Sequence, residues 1–146
     1  MTAPPHSSSP KPANVLYAEW ALWAWTAWTC LFGIAQSWGQ VAEIEEAITT
    51  QLQGMLTIQT STLIAIIIVG YGIVAITSVW IILKIGAGKK WARTSLAAGF
   101  ALDAGYTVLS FEPGLLNHLA DLPDFGLQIC ALYLLYTAPG REWFKD

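Results

Sequence analysis

The sequence predicts an all-α fold: an integral membrane four-helix bundle with an additional amphipathic outer helix before the second span. Three observations predict it. Of the 146 residues, 55% are hydrophobic and only 12% are charged, about half the charged share of a soluble domain. The apolar residues come in four long runs, and the mean hydropathy is +0.50. There are eight Trp, the residue that gathers where helix ends meet lipid headgroups.

The elements follow in order. Residues 1–13, opening "MTAPPHSSSPKP", are rich in Pro and Ser and predict a disordered cytoplasmic tail. Asn14 can cap the helix that follows. The first span, about 15–38, is about 36 Å long as a helix and crosses a bilayer. Its length, its Trp content and the lack of a basic leader make it a retained span rather than a cleaved signal. Gly39 ends it. In residues 41–56, Val41, Ile44, Ile48, Leu52 and Met55 recur at helical spacing, with Glu43, Glu46, Thr50 and Gln53 opposite. That pattern predicts an amphipathic helix at the outer surface, against the membrane or a partner, or continuous with the next span as a bent helix. The second span is about 60–84, closed by Lys84 and "GAG". The basic segment "GKKWARTS" leads into the third span, about 91–111. The loop "EPGLLNHLADLPDF" precedes the fourth, about 122–138, which is about 25 Å long. Residues 14–138 thus form the spanning domain, and residues 139–146 a cytoplasmic tail.

Orientation follows from the basic residues. Lys11, Lys84, Lys89, Lys90, Arg93, Arg141 and Lys145 fall near the N-tail, the second connection or the C-tail, and none falls in the first or third connection. Basic residues stay on the cytoplasmic side. Four spans then put both termini and the middle connection inside, in a multi-pass protein of the cytoplasmic (inner) membrane.

Within the second span, "IIIVGYGIV" holds the letters VGYG, found in the potassium-channel filter TVGYG. A filter is an irregular loop lining a water-filled pore. Here the letters lie mid-run with no turn signal on either side, and Ile68 stands where the filter has Thr. Backbone exposed there to lipid would be unsatisfied, so the run should be helical. Gly70 and Gly72 are better read as packing positions that let a helix approach. Ala97, Ala101 and Gly105, at four-residue spacing, form a second such face.

Asp103, in "AAGFALDAGYTVL", is the one acid deep in a span. An ionised Asp near the midplane costs about 2.5–3.5 kcal/mol on insertion scales, so it should face the bundle interior. Thr26, Thr29, Tyr106, Thr107 and Gln128 are its candidate partners. Its role is either a hydrogen bond that glues the bundle or a proton or cation site, with Glu19 and Gln128 as the other candidates. Glu19 and Lys84 lie at the same depth, and an ion pair between them is expected, unless Glu19 snorkels to water. His118, Asp121 and Asp124 recur every three residues and could hold a metal on one helix face, but Pro123 interrupts that helix. Cys30 and Cys130 fall inside apolar runs and are expected to be buried thiols.

Several classes are excluded. The pI is about 5.2 and there is no basic stripe, so nucleic acid is not a partner. No span holds a His, which excludes bis-His haem, and no cofactor is expected. HExxH, GxSxG, Walker and dinucleotide motifs are absent, so no enzyme is expected.

"KKWARTSLAAGFAL" and "ALYLLYTAPGREWFKD" resemble the opening of the third helix and the closing segment of small, uncharacterised four-span bacterial inner-membrane proteins. The resemblance covers roughly the last 65 residues and implies a compact four-helix membrane fold without a known activity. The leading expectation is a non-enzymatic accessory or interaction subunit, partnered by the lipid bilayer and by other membrane subunits or copies of itself. The alternative is a small proton- or cation-coupled transporter or channel using Asp103.

Overall fold

Long apolar runs without internal proline pair their own backbone groups most completely as helices. The computed structural model describes residues 10–51, 59–109 and 121–144, and these are all-helical. The helices are α1 (Ala13–Gly39), α2 (Val41–Gln51), α3 (Thr60–Gly86), α4 (Lys90–Leu109), α5 (Asp121–Tyr136) and α6 (Gly140–Trp143). The four apolar runs fall on α1, α3, α4 and α5.

Helix α1 is the hub. It packs most extensively on α5 and α3, while α4 closes the ring by touching α3 and α5. The cyclic order is therefore α1, α3, α4, α5. Proline cannot donate within a helix, and Pro12 takes the N-cap position. Asn14, expected as the cap, consequently lies inside the first turn. Gln59, just before α3, has an extended backbone (ψ 142°), so α2 and α3 are not one continuous bent helix, and Thr60 Oγ1 donates to Glu45 Oε2 at 2.6 Å, tying α2 to the start of α3. Val41 of α2 is buried, while Glu43, Glu46 and Thr50 are exposed, as on an amphipathic helix. The side chains of Ile44 and Ile48, and residues 52–58, lie outside the described residues, as do residues 1–9.

The α3–α4 turn shows how sequence sets geometry. Gly88 has φ +73°, a left-handed conformation that favours glycine. The Gly88 N–H donates to Ile85 O at 2.9 Å and the Lys89 N–H to Lys84 O at 3.0 Å. That is the Schellman pattern, which satisfies the last carbonyls of α3. The Trp143 backbone lies directly against Gly88, so the chain's closing segment seats on this turn.

Full burial of apolar side chains is concentrated at the end of the bundle that carries this turn. Val15, Ala18 and Leu22 of α1 pack there with Ile82, Ile85, Ala92, Leu96, Ala131, Leu135 and Phe144. Arg93 is clamped at the same end, its guanidinium 4.4 Å from the Tyr136 ring centre and 4.8 Å from that of Phe144, within cation–π range. Trp80 and Trp91 pair nearby with ring centres 4.8 Å apart. Beyond Leu96 no residue of α4 is buried.

The exterior is apolar. Ile76 is 73% exposed, Leu102 76% and Leu109 89%. Cys130, expected to be buried, is exposed on the outer face of α5, and Cys30 is half-buried, its thiol donating to Tyr71 O at 3.9 Å. Among the described residues, α3 is the one helix long and apolar enough to cross a membrane; α5 is apolar but shorter. The VGYG letters lie within the unbroken helix α3. Tyr71 turns inward and lies over Gly33 of α1, while a Cβ at Gly70 or Gly72 would meet nothing within 4 Å. These glycines, read from sequence as helix-packing positions, are met by no described residue of this chain. Gly105 is equally open, Ala101 is exposed and Ala97 half-buried. The close approaches occur instead at Gly33, Gly86, Gly88 and Gly140.

Candidate functional site

Just past the apolar core, four polar side chains meet between three helices. Gln128 of α5 is only 3% exposed. A buried amide needs partners, and its Nε2 has two. It donates to Asp103 Oδ2 of α4 at 3.2 Å and to Asp124 Oδ2, one turn earlier on α5, at 3.0 Å. Thr29 Oγ1 of α1 then donates to Asp124 Oδ1 at 2.7 Å. The result is a continuous chain, Thr29–Asp124–Gln128–Asp103, with two carboxylates joined through one amide.

This chain forms the polar end of a cavity of about 230 Å³. The cavity lies where α4 stands away from α1, and all four long helices contribute to its lining. Among the described residues, no Lys, Arg or His lines it. Trp25 lines it as well, and its indole Nε1 is buried with no acceptor among the described residues. Chemically, the arrangement offers negative charge and acceptor capacity in low-polarity surroundings, which strengthens attraction for a proton or cation.

The sequence candidates divide. Asp103 and Gln128 meet as expected. Thr29, a candidate partner of Asp103, bonds Asp124 instead, and Thr26 donates to its own helix at Leu22 O, 2.9 Å away. Glu19 is remote from the cavity. Its partner is Lys11 rather than Lys84, with Nζ to Oε1 at 2.8 Å. Gly86 makes room for that pair, since a Cβ there would meet Glu19 Oε1. The reason is geometric: equal depth sets a level in the bundle but not an angle around it. Of the proposed metal set, His118 lies outside the described residues, as does the side chain of Asp121, and Asp124 is committed to Thr29 and Gln128.

Asp124, read from sequence only as a metal candidate, was not linked to Gln128, and Trp25 was not read as a site residue. Pro123 looked like a helix breaker. It sits instead in the first turn of α5, where a missing N–H costs nothing. With the helix running from Asp121, Asp124 and Gln128 share a face at i, i+4 spacing. That spacing was the available signal.

No protein-family model, characterised protein or solved structure matches this chain.

Proposed function

We propose that this chain is a small non-enzymatic protein of the cytoplasmic membrane that crosses it four times, keeps both termini inside, and holds a proton or cation at Asp103 for transport or conduction. The observation that carries the functional part is the Asp103–Gln128–Asp124 chain, two carboxylates from different helices opening on one cavity. The membrane part is supported by inverted polarity. Thr26, Ser78 and Gln128 are buried while large aliphatic side chains cover the outside, far beyond the apolar patch a water-facing monomer tolerates. The described basic residues gather at one end, around Lys11, the α3–α4 turn and α6, as one cytoplasmic face requires.

Orientation is checked by labelling. With Cys30 and Cys130 replaced, Gln40→Cys should react with an impermeant thiol reagent from outside intact cells, and Glu142→Cys only after permeabilisation. Reversed labelling would refute the topology.

Function is checked in liposomes. Proton or cation flux should vanish in Asp103→Asn while the thermal midpoint stays within a few degrees, because asparagine keeps the shape and one acceptor but cannot carry the charge. A second reading, an oligomeric accessory subunit, is favoured by the open faces at Gly70, Gly72, Ala101 and Gly105, where small residues allow close helix contact. Wild-type protein without flux, with an assembly mass that Ala101→Leu plus Gly105→Leu reduces, would replace the first reading with the second.

A further inference from the structure

The cavity is too large for a bare ion. One water occupies about 30 Å³, and an engineered apolar cavity of about 150 Å³ accommodates benzene. At about 230 Å³ the space fits an organic molecule somewhat larger than benzene. Its lining is divided: Asp103, Asp124 and Gln128 sit at one end, and Leu22, Trp25 and Phe100 supply apolar and aromatic surface. A purely apolar guest would leave the carboxylates without a counter-charge, and a metal ion would leave the aromatic wall unused.

We infer that this cavity binds a small organic ammonium ion, its nitrogen between Asp103 and Asp124 and its apolar body against Trp25 and Phe100. The inference rests on the cation reading above and names the class of cation. Three features of the site support it. Each carboxylate has acceptor capacity beyond the bonds already described, because an ionised carboxylate accepts about four. Aromatic side chains give large apolar contact area and favourable ring–ring pairing, which suits an apolar body against Trp25 and Phe100. The buried N–H of Trp25, a residue that lines the cavity, lacks an acceptor among the described residues, and an unpaired donor is costly.

Benzylammonium is the test probe, with neutral benzyl alcohol and sodium chloride as comparisons. Binding to the purified full chain in detergent is followed by calorimetry and by thermal stabilisation, which rises with ligand concentration for anything that binds only the folded state. Benzylammonium should bind saturably and benzyl alcohol should not. Asp103→Asn and Asp124→Asn should each weaken binding about ten- to a hundredfold, the loss expected for one charge-assisted hydrogen bond. Gly99→Leu adds bulk to the cavity wall while leaving both carboxylates in place, and a Cβ at Gly99 meets nothing within 4 Å, so the variant has room to fold. It should abolish benzylammonium binding. Unchanged binding in Gly99→Leu, or in the double Asn variant, would assign the signal to micelle partitioning and overturn the inference. No benzylammonium binding alongside flux that depends on Asp103 would overturn the ligand class alone. Loss of both would overturn the cation reading as well.

Discussion

Replacing Gly140 with alanine should be among the most damaging single changes in this chain, costing about 2–4 kcal/mol of stability, in the range of overpacked sites where the surroundings cannot yield. Gly140 opens α6 and is buried. A Cβ there would run into the Leu134 carbonyl oxygen and sit 3.4 Å from Leu135 Cα. Both are backbone atoms in the last turns of α5, so no side-chain rotation relieves the clash, and α6 must shift. Phe144 follows α6 directly, belongs to the apolar core and stacks with Arg93. Moving α6 therefore loosens the best-packed end of the bundle. The thermal midpoint should fall by roughly 10 °C on the usual scaling for a domain of this size. Gly126→Ala is the matched control: it also lies in α5, nothing lies within 4 Å of its Cβ position, and alanine favours helix by up to about 1 kcal/mol. It should be neutral or stabilising. Equal midpoints for Gly140→Ala and wild type would show that the approach of α6 to α5 is not as tight as described.

Gln128→Leu should also destabilise, through a different mechanism. Leucine nearly preserves volume, so packing changes little. What is lost is the amide joining two carboxylates. An interhelical hydrogen bond in a membrane averages about 0.6 kcal/mol, but hydrogen bonds to charged groups reach about 1.5–3 kcal/mol. With two bonds removed and both acceptors left inside the bundle, a loss of about 2–3 kcal/mol follows from those values. A double-mutant cycle separates this from any effect of shape. In an Asp103→Asn, Asp124→Asn background the carboxylates are gone, and Gln128→Leu should cost at least about 0.5 kcal/mol less, the lower end for directly coupled residues. If the cost were the same in both backgrounds, the amide would be acting by packing alone.

How much of this could be read from the sequence depends on what each signal encodes. Long apolar runs encode helices, and the four runs fall on α1, α3, α4 and α5. Asp103 stood out because an acid amid apolar residues needs an inward partner, and Gln128 was one of few candidates at a suitable depth. Angular position was not legible. Glu19 was matched to Lys84 by level, whereas Lys11 reaches it from the chain's own N-terminal side. Gly70 and Gly72 identified a face able to accept a close neighbour but could not say whether the neighbour lies in the same chain. Cys130 sits in an apolar run yet faces outward, because in a bundle with an apolar exterior hydrophobicity no longer marks the inside. Asp124 was obscured by Pro123, whose effect reverses between the first turn of a helix and its interior.

The uneven burial along the bundle has a mechanical consequence. Every fully buried contact of α4 lies in its first two turns, at Ala92 and Leu96, where the Schellman turn and the Arg93 clamp also hold it. From Ala97 onward the described lateral restraints are few, chiefly the Phe100–Phe125 ring pair and the Gln128–Asp103 hydrogen bond. The helix behaves as a lever fixed at one end, and Asp103 rides about 10 Å beyond Leu96, the last buried side chain, at 1.5 Å per residue. A tilt of a few degrees at the fixed end is thus magnified at the carboxylate. The gap between Asp103 and Gln128 can widen or narrow without unpacking any core side chain, so compliance in this molecule is concentrated where its polar chemistry lies.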